Sequence, residues 1–218
     1  MIIRILVIFS VFLIINSLNC KSNATEYASV NKTNVAFDYA KVDIAATLKR
    51  ADNYFSMAAK TEDKDEKNNY LQKALLEYNI LTQTKQGDIY SVTRLGRIYD
   101  MLGQDRYAKS AFSRALNINF KDIDANYYFA DFYYKRQDFR KALKYYRKSL
   151  EYGRKEDYEI LNKMGEIYEK FADMKRAGIC YKRAFLINPK DEEIPERIRD
   201  IEEIDYDSTG YYDRRKSN

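Results

Sequence analysis

The sequence predicts an all-α fold, a solenoid of antiparallel helix pairs closed by a C-terminal capping helix. Three observations carry that expectation. Small and aromatic residues recur in register about every 34 residues, the spacing of two helices and their turns. Between those slots the apolar residues follow a helical period. The last apolar segment, Ile194, Ile198, Ile201 and Ile204, is a single stripe on an otherwise charged helix. A stacked array needs such a half-polar end, because its final unit would otherwise expose a core face.

The recurrence can be read slot by slot. Residues 89–122 place Leu95-Gly96 and Tyr99 on a first helix, then Ala108, Phe112 and Ala115 on a second. Residues 158–191 repeat this with Met164-Gly165, Tyr168, Ala177, Tyr181 and Ala184, followed by Pro189. Residues 123–156 are looser: Phe129-Ala130, Tyr133, Ala142, Tyr146 and Ser149, with Arg154 where a closing proline is expected. This pattern resembles the tetratricopeptide repeat. It departs from the family early in each first helix, where Val92, Asn126 and Leu161 replace a large aromatic. Sterically, Gly96, Ala130 and Gly165 are expected where two helices cross. Ala108, Ala142 and Ala177 would face them, with Tyr99, Tyr133 and Tyr168 filling the space beside the crossing.

Upstream, residues 41–88 form a divergent repeat. Ile44, Leu48, Ala51, Tyr54, Phe55 and Met57 share a helical period, and Leu71, Ala74, Leu75, Tyr78 and Leu81 another. Ala74 and Tyr78 are in step with Ala108 and Phe112, and Ala51 takes the glycine slot. The charged stretch 61–69 reads as an extended loop, with the helix resuming at Tyr70. Downstream, residues 192–204 are the capping helix, with Pro195 in its first turn, where a missing N–H is tolerated. Residues 205–218 read as a disordered tail.

The chain opens with Arg4 and an apolar run from Ile5 to Ile15, then Asn16 to Cys20. That run is short for a membrane span and has the size of a signal-peptide core. Residues 1–19 are therefore assigned as a leader. Cys20 resembles the lipidated cysteine of bacterial lipoproteins, although Ser17 and Asn19 stand where that family has leucine and a small residue. A plain cleaved leader and an uncleaved anchor are the alternatives. Residues 20–40 would be the lipidated cysteine and a polar flexible tether.

Composition narrows the chemistry. The chain has 218 residues, a formal charge of +5 and no histidine. Lacking histidine, it lacks the commonest general base and metal ligand. No phosphate-binding loop, nucleophile elbow or paired-cysteine motif occurs. Glu166 and Glu169 are expected to be solvated, and Cys180 to be a packed side chain. The expectation is no enzyme, no cofactor, no metal and no small-molecule substrate.

Resemblance to the repeat family implies that the first helices line a groove that takes a partner. The first full repeat would contribute Tyr90, Arg97 and Met101, with Thr93 and Asp100. The middle one adds Tyr127, Asp131, Tyr134 and Lys135, and the last Asn162 and Glu166. The set lacks the Lys/Asn combination with which family members clamp a C-terminal carboxylate. The aromatic surplus at 127–134 is either inter-repeat core or a peptide platform, with Tyr127 and Tyr134 as its anchors. A second feature is the basic run Lys135, Arg136, Arg140, Lys141, Lys144, Arg147 and Lys148, read as a solvated face or as contact with anionic lipid or an acidic protein. Taken together, the sequence points to a scaffold of the bacterial envelope, anchored through an N-terminal lipid and facing the periplasm, that binds another envelope protein or peptide and no nucleic acid. A self-associating structural role is the alternative.

Overall fold

A computed structural model describes residues 38–84 and 88–213, with side chains through Glu203. The leader, Cys20 and nearly all of the tether lie outside the described residues. Asp38–Lys41 belong to a separate unit and include the 3-10 turn Tyr39–Lys41; the solenoid is the unit from Val42 onward. It is all helix, with no strand among the described residues. Helix α1 (Ile44–Lys60) pairs with α2 (Lys64–Gln83), α3 (Ile89–Met101) with α4 (Asp105–Ile118), α5 (Ile123–Lys135) with α6 (Phe139–Tyr152), and α7 (Tyr158–Lys170) with α8 (Met174–Ile187). A final helix, α9 (Ile194–Asp213), packs against α8.

Aspartate marks most of the helix starts. Asp43, Asp63, Asp88, Asp122, Asp138, Asp157 and Asp173 each occupy the N-cap and accept a hydrogen bond from a backbone N–H of the first turn. Each cap is worth about 1 kcal/mol. The turns between paired helices also repeat. Gly103, Gln137 and Ala172 hold positive φ angles of 69°, 58° and 55°. The next residue's N–H in each case reaches back five positions, Gln104 to Tyr99, Asp138 to Tyr133 and Asp173 to Tyr168. This is the Schellman closure that reverses a chain after a helix.

Packing corrects one detail of the slot reading. A Cβ on Gly96 would lie 2.7 Å from the Phe112 ring, and one on Gly165 would lie 2.5 Å from the Tyr181 ring. The ring that fills the close approach therefore comes from the second helix of the same repeat. Tyr78, Phe112, Tyr146 and Tyr181 occupy this position in successive repeats, and all are fully buried. Tyr99 instead bridges the N-terminal and C-terminal core clusters, touching both. The substitutes for the family's large aromatic are also core: Val92, Asn126 and Leu161 are at most 1% exposed. Asn126 earns its burial by donating to the carbonyls of Phe120 and Asp122, which ties the incoming turn to α5.

Two expectations about boundaries fail. The charged stretch 61–69 is not an extended loop, because α2 begins at Lys64 and only Thr61–Asp63 connect it to α1. Asp63 caps the helix, Asp65 and Glu66 sit in its first turn, and Thr61 donates to Glu66. Acidic side chains there complement the helix dipole, so charge favours the helix start. At the other end, α9 continues past Ile204 to Asp213, into the segment expected to be a disordered tail. Extending an existing helix avoids the nucleation cost that a free segment would face.

Two outcomes follow from this packing. Gly165→Leu should destabilise the chain by about 1–3 kcal/mol or more, since Tyr181 is walled in on every side. Ala172→Gly should stabilise it by about 1 kcal/mol, by relieving a left-handed conformation that alanine tolerates poorly. Urea midpoints of the two variants, measured beside the parent, check both signs.

Candidate functional site

The first helices α1, α3, α5 and α7 are joined side chain to side chain, and the residues expected to greet a partner are mostly those doing the joining. Asp52 on α1 accepts from Tyr78 and, at 2.8 Å, from Tyr90 on α3. Asp100 on α3 pairs with Lys135 on α5 and with Arg136 at the end of α5, each at 2.8 Å. Asp131 on α5 takes the Tyr146 hydroxyl and pairs with Lys163 on α7 at 2.8 Å. Tyr134 donates to Glu166 on α7, and Glu169 pairs with Arg197 on α9 at 3.1 Å. Glu166 and Glu169 are thus engaged rather than simply solvated.

A register explains part of this pattern. The residue after the glycine slot is Asp52, Arg97, Asp131 and Glu166 in the four repeats. The buried second-helix ring is Tyr78, Phe112, Tyr146 and Tyr181. In the first and third repeats the carboxylate accepts from the tyrosine hydroxyl of its own repeat. In the second repeat the ring is Phe112, which has no hydroxyl to satisfy, and the slot holds Arg97 instead. In the fourth, the Tyr181 hydroxyl bonds Arg197 at 3.0 Å, and Glu166 is free to serve Tyr134. A buried hydroxyl without a partner costs about 1–3 kcal/mol, so the two positions are coupled.

The expected groove set therefore divides. Tyr127 is only 6% exposed, lies 5.0 Å from the Tyr128 ring, and has the Arg154 guanidinium 4.3 Å from its centroid. It is core, and the reading of Tyr127 as a projecting anchor is corrected. Tyr134 is half-buried and its hydroxyl is taken. Phe129, Phe132 and Tyr133 are buried as well, so the aromatic surplus is largely inter-repeat core, with Phe129 stacked 5.4 Å from Phe112 of the preceding repeat. Met101 packs against the N-terminal core cluster. Asn162 is half-buried, with a buried Oδ1 that accepts no hydrogen bond. Asp131, Lys135 and Glu166 are bridges. Arg154, standing where a proline was expected, pairs with Asp124 at 2.7 Å and Asp157 at 3.0 Å and lies over Tyr127, which accounts for the departure.

What stays open is a place between α3 and α5. Tyr90 is 37% exposed, and Arg94 donates to its hydroxyl at 2.9 Å. The Arg97 guanidinium is held between rings, 4.7 Å from Phe55 and 3.9 Å from Tyr128, and makes no hydrogen bond or ion pair among the described residues. Burial pulls its pKa down from the ordinary arginine value. A crevice of about 80 Å³ opens here among Tyr90, Thr93, Arg94, Asp124 and Tyr128, and Thr93 Oγ1 is buried without a partner. Arg94 and Lys163 are not singled out by the sequence, and Tyr128 enters there only as one of the surplus aromatics at 127–134. The signal available for them was the occupant of the slot after the glycine, which changes with the second-helix ring.

The tyrosine bonds give a pH dependence. Burial and then Glu166 push Tyr134 up to about 12, and the Asp191 hydrogen bond and then burial push Tyr158 up to about 12. Both are neutral when protonated, and both folded values lie above the unfolded value of about 10. Their contribution is therefore fully present below pH about 10 and lost as pH rises through about 12. Urea midpoints should fall between pH about 10 and about 12, and the Tyr134→Phe, Tyr158→Phe double variant should show a shallower fall.

The comparisons agree with this architecture. Residues 158–191 match the family model described as tetratricopeptide repeat. No curated protein matches the sequence with significance. Among solved structures, MamA AMB-1 is similar with a TM-score of 0.58 and 15% identity over 79% of this chain and 87% of that one. MamA MSR-1 gives 0.56 and 15% over 78% and 90%. A structure of Pseudomonas aeruginosa pilF gives 0.57 and 11% over 77% and 76%. With residues 158–191 matching the tetratricopeptide-repeat model, the chain from α1 to α9 has the fold of a tetratricopeptide-repeat-like solenoid.

Proposed function

We propose that this chain is a non-enzymatic scaffold, tethered to the bacterial envelope membrane through Cys20, that holds another envelope protein against the face formed by its first helices. A tetratricopeptide-repeat fold is a protein-interaction scaffold in kind. The observation that carries the reading is the state of that face. Bridges from Asp52 to Arg197 fix the first helices before any partner arrives, so little ordering remains to oppose binding. The open place on it, with Tyr90, Arg94, Arg97 and Tyr128, offers aromatic area and guanidinium donors that have no carboxylate acceptor among the described residues. Tyrosine and arginine are the residue types that dominate binding hot spots. The tether reading rests on the apolar run followed by Cys20, as in a lipoprotein leader.

Two measurements test this. Capture from detergent-solubilised envelopes should return a stoichiometric heterologous protein. Tyr90→Ala with Arg97→Gln should weaken that complex by about 2 kcal/mol, with helical content unchanged by circular dichroism. Self-association in place of a second protein would count against the scaffold role. Cys20→Ser should abolish labelling by a palmitate analogue and release the chain from membranes, since stable anchoring needs lipid. A parent chain whose mature N-terminus is an unmodified residue would sink the tether but leave the solenoid intact.

A further inference from the structure

A second face of the molecule carries charge that the inner face, formed by the first helices, does not explain. Part of the basic run is spent internally. Lys135 pairs with Asp100, Arg136 with Asp100 and Asp105, and Lys141 with Asp138. Arg140, Lys144, Arg147 and Lys148 have no ion pair among the described residues. They lie at i, i+4, i+7 and i+8 on α6 and so share one face of that helix. Like charges at this spacing repel, and no carboxylate is interleaved to relieve them. Opposite them on α8 stands Arg176.

These five cations line one cleft of about 630 Å³ between α6 and the α7–α8 turn. Its volume lies within the range of about 300–1,000 Å³ typical of ligand-binding clefts. Tyr168 and Phe171 also line it, and Phe171 is 45% exposed. Its acidic lining is Asp173 and Glu151. Asp173 is occupied, capping α8 and pairing with Arg176 at 2.6 Å. The cleft thus combines an excess of positive charge, five cations against two carboxylates, with an exposed aromatic ring.

We propose that this cleft is a second docking site, which takes an acidic segment of a protein partner whose carboxylates flank an apolar side chain. The carboxylates meet Arg140, Lys144, Arg147 and Lys148, and the apolar side chain rests on Phe171. Charge complementarity selects the acid. The recess selects a chain segment over a bilayer, because a flat headgroup plane would reach the rim cations while leaving the aromatic surface uncovered. This site lies away from Tyr90, Arg94 and Arg97, and is independent of how the inner face is used.

The test uses the full chain in non-ionic detergent and a fluorescein-labelled peptide of repeating Glu-Glu-Leu, read by anisotropy. Binding should weaken with added salt and fall at least about tenfold in Lys144→Glu, Arg147→Glu. The Lys49→Glu, Lys60→Glu variant carries the same charge change on α1 and should stay within about twofold of the parent. Replacing the peptide's leucines by serine should weaken binding to the parent. Circular dichroism shows that each variant is folded. Failure of the parent to bind, equal loss in both double variants, or indifference to the leucines would each overturn the proposal. So would loss confined to phosphatidylglycerol vesicles with peptide binding unchanged, which would make the face a membrane contact.

Discussion

Helices share a core only as far as their backbones can approach, and in this solenoid the approach is set by a small residue on the first helix and a large ring on the second. Gly96 lies under Phe112 and Gly165 under Tyr181, with no room for even a Cβ. Because the ring comes from the second helix, each pair is locked from within and holds its first helix in a fixed attitude. Stacking then follows from leftover apolar surface. Phe129 reaches back to Phe112, and Tyr99 touches both core clusters, so one repeat's edge completes the next repeat's core. Such an array derives its stability from within each pair and between neighbours.

The ring that locks each pair imposes a second condition when it is a tyrosine. Its hydroxyl is taken into the interior and needs a partner. Asp52 and Asp131 supply it from the first helix, and the same carboxylates reach Tyr90 and Lys163 of the following repeat. One requirement, satisfying a buried hydroxyl, thereby also fixes how successive first helices sit beside one another. The inner face is rigid for that reason, and many of its polar groups are already committed. Where the ring is Phe112 the requirement lapses, and Arg97 stands in the slot without an acceptor among the described residues. The open place on the face and the missing hydroxyl beneath it are two sides of one substitution.

Charge is distributed on the same logic. On the inner side, acids and bases alternate between repeats and neutralise one another across short distances. On the cleft-lining side of α6, Arg140, Lys144, Arg147 and Lys148 outnumber Glu151, and these four cations have no ion pair among the described residues. Pairing follows where tertiary contacts bring opposite charges together, and along this cleft the following repeat brings Arg176, a further cation whose carboxylate partner is Asp173.

The sequence by itself determined the helix pairs, their phase and their order, because these depend on periodicity and on residue size, which are local. It also contained the helix starts, written as aspartates, although the charged stretch 61–69 was read as a loop because composition hid the cap at Asp63. Which ring fills the crossing, whether Tyr127 projects or is buried, and which charges are free were decided by the tertiary structure. Each of those depends on a residue about one repeat or half a repeat away. Tyr127 and Tyr134 share a helical face and look alike in sequence, yet Arg154 closes over one while Glu166 accepts a hydrogen bond from the other. Helical spacing fixes the face a side chain occupies, and only the packing of the neighbouring repeat fixes what covers it.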